Sequence, residues 1–88
     1  MITSTNDVET LVRAKGARFD DDILYITLSD EREISLPMHQ MSWVKWLANA
    51  TSEQRAKWTL EPGGFAIYWE DLDDGIEISH LLSMQALG

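Results

Sequence analysis

The sequence predicts an α+β domain with one small antiparallel sheet, a three-strand meander plus a later strand, and helices packed on one face. Three observations predict it. Apolar residues alternate with period two between Arg18 and Leu36, and turn-forming residues bound each run. Trp43, Trp46, Leu47 and Ala50 then fall on one stripe of helical spacing. After Pro62-Gly63-Gly64, an unambiguous turn, Phe65, Ile67 and Trp69 return to the period of a strand.

Each element follows from local chemistry. Asn6-Asp7-Val8-Glu9 has the form of a capping box, and Val8, Leu11 and Val12 predict a short amphipathic helix ending near Gly16. Strands are expected at 17–20, 23–29 and 32–36, because Ile23, Tyr25 and Thr27 alternate with Leu24, Ile26 and Leu28. Asp20-Asp21-Asp22 and Ser29-Asp30-Glu31 are the turns between them. Pro37 ends this segment, and Met38 to Ala50 is expected to be helical. Thr51-Ser52-Glu53-Gln54 is a second capping box, Thr51 with Gln54, opening a short helix through Lys57. The strand at 65–69 is expected in the same sheet as the meander. Asp71 to Gly75 reads as a loop, Ile76-Glu77-Ile78 as extended chain, and Ser79 as the cap of a last turn around Leu81-Leu82.

Bulk properties narrow the function. With 88 residues, 44% hydrophobic content and four Trp, the chain is expected to form a single domain with an efficient core. It has no Cys, which excludes disulfides and thiolate–zinc sites. Phe65 to Trp69 is the longest apolar run, far short of the ~18 residues of a membrane helix. The start lacks the basic and apolar stretches of a signal peptide, so a cytoplasmic protein away from membranes is expected. Net charge is −8, and Lys57 is the last basic residue. Glu61, Glu70, Asp71, Asp73, Asp74 and Glu77 follow it. Such a chain repels phosphate backbones, whose binding needs clustered Lys and Arg. A basic protein partner is favoured instead.

The motifs that carry chemistry are absent or incomplete. Asp71-Leu72-Asp73-Asp74-Gly75 suggests a calcium loop, but position 5 is Gly75, position 6 is Ile76 and position 12 is Leu82. That spacing does not match an EF-hand, and a carboxylate-rich turn is the simpler reading. A small metal- or ligand-binding domain using Asp71 to Glu77 is the alternative function. His39 and His80 are the only imidazoles and would need further ligands for a zinc site. No Gly-x-Ser-x-Gly elbow or phosphate loop occurs. No catalytic residue and no cofactor are therefore expected.

Trp residues offer the remaining signal. Trp43 and Trp46 stand three apart and are not easily both buried in a thin core, while Trp69 leads into the acidic loop. Core packing is the plain reading of each. The functional reading makes them partly exposed anchors, the residue type that dominates interface hot spots. Trp43, Trp46, Trp69, Asp71, Asp73 and Asp74 are thus the candidate partner-binding residues.

Three stretches also carry a resemblance. They are Leu24-x-Ile26-x-Leu28-x-Asp30 with Ile34-x-Leu36-Pro37, then Ala50-Thr51-Ser52-Glu53-Gln54-Arg55, then Trp69-x-x-Leu72-Asp73-x-x-Ile76. Over roughly residues 17–82 the chain resembles the small bacterial and phage domains grouped as domain-of-unknown-function family 2442. Two departures stand out. Glu31 replaces the Gly of a common Asp-Gly-Arg turn, which predicts a looser turn, and Met38 to Val44 replaces an aromatic-Pro-Arg segment. The resemblance implies an α+β fold without an established activity or catalytic residues to carry over. Family members stand alone, fused to a helix-turn-helix domain, or beside genes for other small proteins in arrangements like toxin–antitoxin pairs. The expected function is therefore a non-catalytic interaction module, antitoxin-like or accessory in a two-gene pair, whose partner is a basic protein encoded by a neighbouring gene.

Overall fold

In the computed structural model, which describes residues 12–87, β1 (Ala14–Asp20), β2 (Ile23–Leu28) and β3 (Glu33–Pro37) form the expected antiparallel meander. The helix read from Asn6 lies outside the described residues, but its proposed end does not hold. Ala14 is already paired with Leu28, so the first strand starts before residue 17. A register break between Ala14 and Gly16 accommodates the extra length. Alternation then sorts the faces. Leu24, Ile26, Leu28, Ile34 and Leu36 are buried, while Arg18, Tyr25 and Ser35 share the outer face in register.

The turn at Glu31 is tight, against the looser turn expected. The Glu31 amide donates to the Leu28 carbonyl at 3.0 Å, and the Leu28 amide to the Arg32 carbonyl at 2.8 Å. This is a three-residue hairpin loop that needs a left-handed residue at its end, and Glu31 supplies it at φ 74°. Asp30 locks the far side by accepting from the Arg32 amide and guanidinium. Left-handed backbone costs a side-chain-bearing residue ~1–2 kcal/mol, against the ~0.5–1 kcal/mol of chain entropy that Gly loses. Glu31→Gly should therefore gain about 0.5–1 kcal/mol, since the exposed Lys15–Glu31 ion pair contributes little. A higher denaturant midpoint at constant slope is the expected reading.

Met38 to Ala50 is not one helix. Two 3-10 turns, Met38–Gln40 and Ser42–Val44, precede a single α-turn, α1 (Lys45–Ala48). Met41 between them is extended, at φ −122° and ψ 109°. Packing overrides the helical stripe here: Met38, Val44 and Leu47 reach complete burial, whereas Trp43, Trp46 and Ala50 pack partly buried against the core. α2 (Ser52–Ala56) does begin as expected. Thr51 Oγ1 accepts from the Gln54 amide at 3.1 Å, and Gln54 Oε1 accepts from the Thr51 amide at 3.0 Å. Thr51→Ala should lower stability by about 0.5–2 kcal/mol, read as a reduced denaturant midpoint, because a first-turn amide loses its acceptor.

The later strand also departs from expectation. It does not extend the meander but is the middle strand, β5 (Ala66–Trp69), of a second antiparallel sheet between β4 (Trp58–Leu60) and β6 (Asp74–Glu77). Both neighbours are reached by short connections, Pro62–Gly64 on one side and Glu70–Leu72 on the other, so local hairpins satisfy both edges of β5. α3 (Ile78–Leu87) follows directly. The two sheets share one core, to which the second contributes Ile67, Trp69 and Ile76, with Ile78 and Leu81 from α3.

Candidate partner-binding face

Burial of Ile67 and Trp69 sends Ala66 and Tyr68 to the opposite face of β5. In register, Thr59 and Gly75 flank Tyr68 there, and Glu77 lies opposite Ala66. Gly75 is required by close approach. A Cβ at that position would stand 2.7 Å from the Ile67 carbonyl oxygen and 3.3 Å from Cδ1 of Tyr68. The Tyr68 hydroxyl donates to Asp73 Oδ1 at 2.6 Å, which fixes the direction of the ring. That hydrogen bond holds the phenol above its ordinary pKa, aided by partial desolvation and by the charges of Asp73, Glu70 and Glu61. The charges of Asp73, Glu70 and Glu61 therefore all act on one aromatic side chain of this face, and Asp73 touches it directly.

The acidic loop is ordered by its own side chains. Glu70–Leu72 makes a 3-10 turn, closed by the Asp73 amide on the Glu70 carbonyl. Asp73 then adopts the left-handed conformation, which Asp tolerates well. Asp74 Oδ1 accepts from the Gly75 amide at 2.8 Å, and Asp71 faces Lys57 at 3.5 Å. No group of three or more His, Asp or Glu able to hold a metal forms among the described residues. His39 instead faces Asp22 and His80 packs edge-on to Trp43. Millimolar calcium should leave the melting temperature unchanged, whereas a specific site would raise it by mass action. Thermal scans with calcium and with chelator measure this directly.

The six residues expected to bind a partner differ in exposure. Asp71, Asp73 and Asp74 are exposed, and Trp43 and Trp46 are half-buried. Trp69, expected as an anchor in the functional reading, is fully buried and offers no surface to a partner. Its indole donates to the Arg55 carbonyl at 2.9 Å, and its ring meets Trp46 and Phe19 edge-on at 5.8 and 6.3 Å. Trp46 is held in turn by its own indole N–H on the Trp43 carbonyl. The core takes Trp69 because it pairs across the sheet with Trp58 while β5 turns that face inward. Sequence reading counted Glu61 and Glu70 only as charge and did not single out Tyr68. The alternation that buries Ile67 and Trp69 contained the signal, since it turns Tyr68, half-buried, to the outer face.

A cleft of about 630 Å³ opens elsewhere, between the first hairpin and α2, over Phe19, Trp58 and Arg55. Arg55 is committed to structure there. It donates to the carbonyls of Leu47, Asp21 and Ala48 at 3.2, 3.1 and 2.7 Å, which caps α1 and ties it to the β1–β2 turn. Ser52, Asp21 and Asp22 are among the polar side chains of its lining.

Among the described residues no helix is long and apolar enough to cross a membrane. A family model described as protein of unknown function (DUF2442) matches residues 14–84. No curated protein matches the chain. Among solved structures, the chain is similar to a protein of unknown function from Rhodospirillum rubrum ATCC 11170. The identity is 22% and the TM-score 0.67, with 82% of this chain and 86% of that chain covered. That likeness shows a shared fold.

Proposed function

The chain belongs to the DUF2442 family of proteins of unknown function, and on that premise we propose that it is a non-catalytic interaction module docking a basic protein on the outer face of its second sheet. In this reading it is the accessory or neutralising member of a two-gene pair. The supporting observation is that the charges of Glu61, Glu70 and Asp73 all act on Tyr68, with no Lys or Arg after Lys57. Such a face attracts a positively charged surface over distances comparable to the Debye length and raises the rate of encounter.

The family motifs fit a reading without catalysis, because their residues are used by the fold. Thr51 and Gln54 cap α2, Arg55 caps α1, Trp69 and Ile76 fill the core, and Asp73 turns the chain. Asp71, Asp73 and Asp74 also hold internal contacts, so Glu61, Glu70 and Glu77 are the cleaner residues to change. Their combined replacement by Gln should slow capture of the neighbouring gene's product about tenfold or more at low salt. It should also flatten the dependence of that rate on salt. Stopped-flow association at two salt concentrations tests this, with melting checked first. Equal capture rates for both proteins at both salts would remove the acidic face as the docking site.

A further inference from the structure

We propose that the docked segment presents an arginine whose guanidinium lies on the Tyr68 ring beside the Asp73 carboxylate, an inference that rests on the docking reading above. The chain supplies its own precedent. On the outer face of the first sheet, Tyr25 occupies the middle strand, and Arg18 of the neighbouring strand lies over it with Cζ 4.1 Å from the ring centroid. Glu33 of the other neighbouring strand completes that site, 3.5 Å from the Arg18 guanidinium.

Tyr68 has the corresponding place in the second sheet, but Thr59 stands where Arg18 would be and Gly75 lies on the other side. The aromatic ring and the carboxylates are there; the cation is not. Arg13, Arg18 and Arg55 lie over Phe65, Tyr25 and Phe19, and among the described residues no guanidinium lies over Tyr68. Residues 1–11 and 58–88 contain no Lys or Arg, so neither segment has a basic side chain to supply. Lys57 is paired with Asp71 and Arg32 with Asp30, so a guanidinium for this position comes from another molecule.

Arginine fits better than lysine. Its planar group stacks on an aromatic ring while its edge donates to carboxylates, whereas an ammonium is a compact, strongly hydrated point charge. The hydrogen bond to Asp73 already fixes the Tyr68 ring, so little ordering remains on docking.

Hexa-arginine and hexa-lysine peptides, titrated into the whole protein at low salt, separate the two levels of the proposal. The arginine peptide should bind about two- to fivefold tighter through its contact with the ring. Tyr68→Leu should remove that part of the preference, and Tyr68→Phe, which keeps the ring without its bond to Asp73, should keep most of it. The Glu61, Glu70 and Glu77 triple Gln variant should weaken both peptides alike. If the arginine-to-lysine ratio is the same in Tyr68→Leu as in the parent, the stacking site is wrong while the acidic face stands. If the triple variant binds both peptides as the parent does, the docking reading itself fails. Should Tyr68→Leu not fold, the parent protein decides by NMR. Arginine peptide should shift the Tyr68 ring protons more than those of Tyr25, and an unmoved Tyr68 ring overturns the proposal.

Discussion

Trp69→Ala should cost about 3–5 kcal/mol, the largest effect expected of any single substitution in this chain. An 88-residue domain has roughly 4–13 kcal/mol of net stability, so the loss removes about a quarter of it at the upper end and unfolds the variant at the lower. The size of the effect comes from three losses at one position. The indole is fully buried, it meets Phe19 and Trp46 edge-on, and its N–H satisfies the Arg55 carbonyl. Trp69→Phe keeps most of the apolar volume but abandons that carbonyl, and should lose distinctly less. Near-UV circular dichroism and a denaturant titration on both variants measure the difference. A Trp69→Ala midpoint within about 1 kcal/mol of the parent would mean that the side chain is not in the core.

Arg55→Ala should follow at about 2–4 kcal/mol, since hydrogen bonds from a charged group contribute ~1.5–3 kcal/mol each and water replaces part of them here. The Leu47 and Ala48 carbonyls both lie at the end of α1; Leu47 also accepts from the Ala50 amide at 3.1 Å, so the Ala48 carbonyl depends most on Arg55. The third bond, to the Asp21 carbonyl, spans 34 positions of sequence and joins the first hairpin to α1 and α2. Arg55→Lys should recover less than half of the loss, because one ammonium cannot serve three carbonyls that a planar fork reaches together. Full recovery in Arg55→Lys would show that charge, and not the geometry of the fork, is what matters.

Local and periodic features were legible in the sequence. The Thr51–Gln54 capping box depends on four consecutive residues, and the meander depends on alternation within short runs, so neither needs distant information. Non-local features were not legible. β4 has only three residues, and nothing in Trp58-Thr59-Leu60 announces pairing with Trp69, Tyr68 and Ile67 across a Pro-Gly-Gly turn. The stripe at Trp43, Trp46 and Leu47 had helical spacing, but complete burial of Met38 and Val44 required an extended Met41, which breaks the helix. The acidic part of the candidate face was visible as charge. Its aromatic centre was not legible, because alternation assigns Tyr68 to the outer face without saying that its hydroxyl meets Asp73 there.

Both sheets join only strands that follow one another along the chain. Each pairing therefore closes a short loop, which keeps the entropic barrier low and places the protein among the faster-folding mixed domains. The contacts that unite the two halves, Trp69 with Phe19 and Arg55 with the Asp21 carbonyl, span far more sequence. They reward folding only after both hairpin sets exist. Substitutions there should act mainly by hastening unfolding, while refolding keeps nearly its parental rate. The lifetime of the native state, more than the speed of reaching it, is thus set at the seam between the sheets.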